Sequence, residues 1–120
     1  MTTIPSFDGV IRQHPQDEHI AWAMLPCACP QNHAANLLQL KDGSLMCVWF
    51  GGSQEGKADI SIWGSRLATD SDRWSEAVKL SDDPDRSEQN PVLFQAPDQV
   101  VWLLWTAQYA GNQDTAIVRY

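Results

Sequence analysis

The run NLLQLKDGSLMCVWFGGSQEGKADISIW, residues 36–63, decides the fold. Leu37, Leu38 and Leu40 precede Asp42-Gly43, and Leu45, Met46, Val48, Trp49 and Phe50 follow it. Asp-Gly between two apolar runs signals a hairpin, because glycine reaches the positive φ that a tight reversal demands. Ile60-Ser61-Ile62-Trp63 then alternates with period two, the pattern of a half-buried strand. The first reversal uses only residues 41–44, whereas the second spends residues 51–59 and is rich in glycine and charge. Beyond the polar stretch 69–73, a fourth strand is expected near Ala77 to Leu80.

Beyond residue 81 the pattern restarts. Asn90-Pro91-Val92-Leu93-Phe94 leads into a turn at residues 96–99, and Val100 to Trp105 returns. A second long connection, residues 107–114, ends in a strand over Thr115 to Tyr120. Asp42 recurs as Asp98 and Trp49 as Trp105 at one identical spacing, and Asp59 recurs as Asp114 at nearly the same one. A repeated meander of this length predicts an all-β chain: a partial β-propeller of about two four-stranded antiparallel blades. The expected bounds are an N-terminal extended segment over 1–30, a blade over 31–81 and an incomplete blade over 88–120. A closed two-sheet sandwich of seven strands is the alternative. Two blades leave apolar faces bare, so further blades or another chain are expected as partners. Trp49, Trp63, Trp102 and Trp105 are expected to pack between blades.

Antiparallel order sends alternate connections to opposite ends of a sheet. The short reversals therefore share one rim, and the long ones share the other with the entry at Asn32-His33 and the crossover 82–90. Chemistry concentrates where loops are held by a rigid scaffold. His33 is suited to acid–base work, and Glu55 or Asp59 to the role of acid. Tyr109 suits proton donation or stacking on a sugar ring. Lys57 and Arg86 are suited to an anionic group, and Asn32, Asn90, Gln108 and Asp114 complete the candidate binding set. Glu88, Asn112 and Arg119 lie on the same rim.

Composition excludes other classes. A net charge of −7 opposes non-specific attraction to nucleic acid or anionic lipid. No apolar run approaches the roughly 20 residues of a membrane helix, and the N-terminus lacks a signal-peptide pattern, so a cytosolic (cytoplasmic) chain is expected. Cys27-Ala28-Cys29 with His33 lacks a second ligand pair, so neither metal nor cofactor is expected.

The run from Asn32 to Leu67, then RWSEAVKLS, QNPVLF and WLLWTAQ, resembles the sialidase-like (bacterial neuraminidase repeat) propellers, in particular the predicted-neuraminidase branch. The family's Asp-box turn is represented by residues 68–74, which lack its glycine but keep Trp74. The resemblance implies a truncated propeller and an exo-acting glycosidase whose pocket takes an acidic glycan at the long-loop rim. It implies the loop acid at Glu55 or Asp59, and sets His33 where the family carries a carboxylate-clamping arginine. The family's other arginines and its tyrosine–glutamate pair would fall in later blades, and the segment alone is expected to be inactive. Two other readings stand beside this one. Similar propellers are uronate lyases, a reaction that would suit His33 with Tyr109. The third reading is a non-catalytic glycan-binding propeller or an inactive remnant.

Overall fold

A computed structural model describes residues 6–120. The fold is all-β, with three antiparallel sheets among the described residues. β1 (Arg12–His14) and β2 (Asp17–Trp22) form a small hairpin; β3 (Gln31–Gln39), β4 (Leu45–Gly52), β5 (Ser61–Leu67) and β6 (Val78–Lys79) form a four-stranded meander. β7 (Ser87–Gln95), β8 (Val101–Gln108) and β9 (Ile117–Arg119) form a three-stranded one. The two meanders are consistent with the expected pair of propeller leaves, the second incomplete.

The repeat holds at the level of hydrogen-bond register. Gln31 pairs with Gly52 and Gln39 with Leu45; one repeat later, Ser87 pairs with Gln108 and Gln95 with Val101. Each first strand carries one extra residue, between His33 and Asn36 in β3 and between Gln89 and Val92 in β7. Ala34 (φ 52°) and Asn90 (φ 53°) occupy the same left-handed position in these bulges. A bulge shifts the side-chain alternation of its strand by one residue. In β3 the His33 ring lies against Phe50 at the edge of this irregularity, with centroids 5.3 Å apart.

The short turns repeat as well. Leu40 N–H donates to the Ser44 carbonyl and Gly43 N–H to the Leu40 carbonyl; Ala96, Val100 and Gln99 reproduce both bonds. This is a three-residue loop closed by a residue in the left-handed region. Gly43 fills that position at φ 88°, while in the second leaf Gln99 does so at φ 72°.

Two clusters hold the molecule together. Val48, Phe50, Ile60, Ile62 and Leu93 form the core between the leaves, with Leu38, Met46, Leu103 and Trp105 packed around it. The Asn36 side chain accepts from Leu93 N–H at 2.9 Å, and Gln95 accepts from Lys41 N–H at 2.8 Å, so the first strands are also stitched together. On the opposite face of the first leaf, Cys47, Trp49 and Trp74 are covered by Ile11, Ala23, Leu25 and Cys27.

The N-terminal segment is therefore more than an extended lead-in: it contains the β1–β2 hairpin and straps the outer face of the first leaf. The Gly9 carbonyl accepts from Trp74 N–H, and Ile11 N–H donates to the Asp72 carbonyl, which pins the strap to the turn between β5 and β6. Residues 1–5 of the expected N-terminal segment lie outside the described residues. The tryptophans divide differently from the expectation. Of the four expected between blades, Trp105 alone lies at the core between the leaves. Trp49 and Trp63 sit under the strap, and Trp102 is on the open face of the second leaf.

Candidate functional site

The two long connections end at the same rim and touch. A Cβ built on Gly56 would lie 3.3 Å from Gly111 Cα, a tight contact, and one on Gly111 would lie 3.5 Å from Gly56 Cα, so the loop tips pack directly against each other. Both glycines take positive φ, 87° and 72°, which a larger residue would adopt only with strain.

Each loop is closed by a side chain at its far end. Asp59 receives Ser53 N–H, and at the equivalent place in the second leaf Thr115 Oγ1 receives Tyr109 N–H at 2.8 Å. Thr115, rather than Asp114, is thus the counterpart of Asp59, and the repeat keeps one spacing throughout. Asp114 instead lies exposed in a 3-10 turn over Gln113–Thr115, capped by the Asn112 side chain.

Under the meeting loops lies a cavity of about 450 Å³, lined by Gln31, Gln54, Glu55, Gly56, Gln89, Gln108, Gly111 and Gln113. Gln31 comes from the start of β3, and its side-chain oxygen accepts from Glu55 N–H at 3.0 Å, which holds the first loop over the site. Gln89 and Gln108 come from β7 and β8, and the pairing of Ser87 with Gln108 and Gln89 with Thr106 places them on one face of the sheet. A neighbouring cavity of about 400 Å³ shares Gln54, Glu55, Gly56 and Gly111, and adds Lys57 and Asp85. Glu55 and Gln108 among the expected residues therefore meet in one cavity, with Lys57 in the next.

The other expected residues are placed differently. Arg86 lies over the Tyr109 ring, 3.9 Å from its centroid, and donates to the carbonyls of Ala107 and Thr115 at 3.1 Å each. Its guanidinium thus binds the base of the second loop. Asn32 accepts the Trp49 indole N–H at 3.1 Å and donates to the Cys29 carbonyl, so it fastens the first leaf. Asn90 is the exposed left-handed residue of the second bulge. His33 lines neither loop cavity; it borders a more apolar hollow with Leu25, Cys27 and Trp49. Arg119 is bound by Asp83 at 2.6 Å.

Glu88 stands where Asn32 does in the first leaf and repeats its indole clamp with a charge. It is 1% exposed, and its carboxylate accepts the Trp105 indole N–H at 2.6 Å and Asp83 N–H at 3.0 Å. Asp83 in turn accepts from Asp85 N–H and Arg86 N–H and pairs with Arg119. The Asp85 amide, with help from Arg119, holds the Asp83 carboxyl below the usual carboxylate range. This network sets the crossover beneath the rim. Reading for charged and ring-bearing groups does not single out Gln31, Gln54, Gln89 and Gln113. The signal that could find two of them is the repeat itself, since Ser87-Glu88-Gln89 stands in the second leaf where Gln31-Asn32-His33 stands in the first.

A family model described as a BNR repeat-like domain matches residues 43–120, the greater part of the chain. No curated protein and no solved structure matches it.

Proposed function

The chain belongs to the BNR repeat-like domain family, and from that membership we propose that it forms part of a sialidase-like, carbohydrate-active propeller that takes its glycan at the long-loop rim. The observation carrying this reading is the convergence of both long loops over one hydrogen-bonding cavity. Glycans are recognised chiefly through hydroxyl groups, which amides and carboxylates match well.

Within this reading Glu55 is the loop acid. Its side chain makes no hydrogen bond among the described residues and lines the cavity, whereas both Asp59 oxygens are within reach of Ser53 N–H and close the loop. Lys57, at the edge of the same loop, receives an acidic sugar unit. The exposed apolar face of the second leaf is covered by a further blade or a second chain.

One observation favours a non-catalytic role for this segment. Arg86, one of the two cations suited to an anionic group, is engaged inside the fold, and Arg119 is paired with Asp83. The segment then supplies glycan recognition, and the remaining charged groups come from outside it.

The test is an amide-resolved NMR titration of the 120-residue chain with a glucuronate-containing oligosaccharide. Resonances of residues 53–59 and 109–115 are expected to shift, while those of 41–43 and 97–99 stay fixed. Shifts confined to the short turns, or no shift, would overturn the proposal. The chain alone is expected to release no sugar and to generate no ultraviolet-absorbing unsaturated product.

A further inference from the structure

Resting on that reading, we infer that the glutamine-lined cavity is a subsite for an uncharged, hydroxyl-rich sugar unit, distinct from any position that takes the acidic group. Three observations carry it.

First, the lining supplies donors and acceptors but no cation. Five of its residues are glutamines, the one ionisable group is the Glu55 carboxylate, and neither lysine nor arginine contributes. A sugar carboxylate placed there would meet the like charge of Glu55 with no cation in the lining to offset it. A hydroxyl both donates and accepts, so it suits amide and carboxylate neighbours alike.

Second, two of the amides are held almost entirely inside the protein. Gln89 and Gln108 are each 4% exposed, although glutamine is ordinarily a surface residue. Gln89 donates one N–H to Ser87 Oγ at 2.9 Å, which orients its amide and leaves its oxygen without a protein donor. The Gln108 side chain makes no hydrogen bond among the described residues. Yet no side-chain nitrogen or oxygen there is both buried and unpartnered. The remaining accessible part of Gln108 must therefore include its amide, and the space it borders is this cavity. A buried amide left free to bond only into a cavity is what a polar ligand group replaces water on.

Third, the scaffold around the amides is fixed. Glu88, between Ser87 and Gln89 in β7, is locked by the Trp105 indole and the Asp83 amide, and Thr106 Oγ1 donates to the Gln89 carbonyl at 3.1 Å. Pre-ordering of this kind lowers the entropy cost of binding. The neighbouring cavity differs in carrying a cation, Lys57, beside Glu55 and Asp85.

The probes are methyl glucoside and methyl glucuronoside, which differ only in the carboxylate, titrated into the 120-residue chain. The readout is the side-chain NH2 resonances of Gln89, Gln108 and Gln54 together with the loop amides. The glucoside is expected to shift these side-chain resonances and to bind the cavity more tightly than the glucuronoside. Gln108→Leu is expected to weaken glucoside binding roughly tenfold, from the loss of one or two hydrogen bonds. Gln54→Ala, at an exposed loop position that does not support the core, is expected to weaken it about threefold. Shifts of the glutamine side chains by the glucuronoside alone would overturn the inference and leave the glycan reading standing. Loop-amide shifts with no glutamine side-chain shift from either probe would do the same. No perturbation of the rim by either sugar would overturn both.

Discussion

The two leaves share their register residue for residue and differ in what lies against them. In the first, Leu38, Met46, Val48, Phe50 and Ile62 face the second leaf and form the core, while Trp49 and Trp74 are covered on the other side by the N-terminal strap. In the second, the equivalent positions carry Phe94, Trp102, Leu104, Thr106 and Val118, of which Phe94, Trp102 and Val118 are exposed. Val118 is 67% exposed and Tyr120 is 83% exposed, while Trp102 lies against the rings of both Phe94 and Tyr120. The same repeat unit thus builds the same sheet twice, but neighbours supply its burial. That is the energetics of a stacked array, in which each unit is stabilised largely by its interfaces.

Equivalent substitutions test this difference most directly. Ile62→Ala is expected to cost about 2–5 kcal/mol, because it empties a fully buried site. Val118→Ala, at the matching position of the second leaf, is expected to cost less than about 0.5 kcal/mol. Chemical denaturation of the two variants measures both; equal costs would mean that the open face is buried in solution.

The indole clamps offer a second pair. Trp105→Phe deprives the buried Glu88 carboxylate of a donor and is expected to cost about 1–3 kcal/mol. Trp49→Phe removes a bond to the exposed Asn32 and should cost about 0.5–1.5 kcal/mol, from the same measurement.

The turns predict a smaller effect of opposite sign. Gln99 holds at φ 72° a position that glycine fills in the first leaf. Gln99→Gly relieves about 1–2 kcal/mol of left-handed strain and costs about 0.5–1 kcal/mol in chain entropy. A gain in thermal stability equivalent to roughly 0.5–1 kcal/mol is expected.

Acid separates the strap from the crossover. Asp8 is held below the ordinary carboxylate range first by its hydrogen bonds from Arg12, and Asp83 first by the Asp85 amide. A carboxyl with a depressed folded pKa stabilises the fold above the ordinary aspartate range. It loses that contribution as pH falls through this range toward the folded value. Denaturation midpoints should therefore decline with acid below the ordinary aspartate range. Asp83→Asn should flatten the decline more than Asp8→Asn, because Asp83 is shielded within the fold and the strap's aspartate is more open to solvent.

Much of the architecture is legible in the chain itself. Asp42-Gly43, the alternation of residues 60–63 and the regular recurrence of aspartate and tryptophan point to the hairpins, the meander and the shared rim of the long loops. These signals act over a few residues, through turn geometry and the two-residue period of a strand. The candidate site is legible only in part. Glu55 and Lys57 can be placed on the correct loop, but the residue that closes the second loop, Thr115, is hidden behind a neighbouring aspartate. Arg86 has the chemistry of an anion-binding residue, and only packing shows that its charge rests on Tyr109 and two carbonyls.

The order of residues alone thus specifies the repeated leaf, its turns and the end at which the long segments gather. Three-dimensional packing settles which face each leaf buries and that the N-terminal segment straps the first leaf. It also settles that glutamines, two of them buried, rather than free arginines line the cavity under the loops. The reason is physical: a strand and its turn are specified by neighbours along the chain, whereas a side chain's partner across a bulge or between sheets depends on alignments that no local pattern encodes.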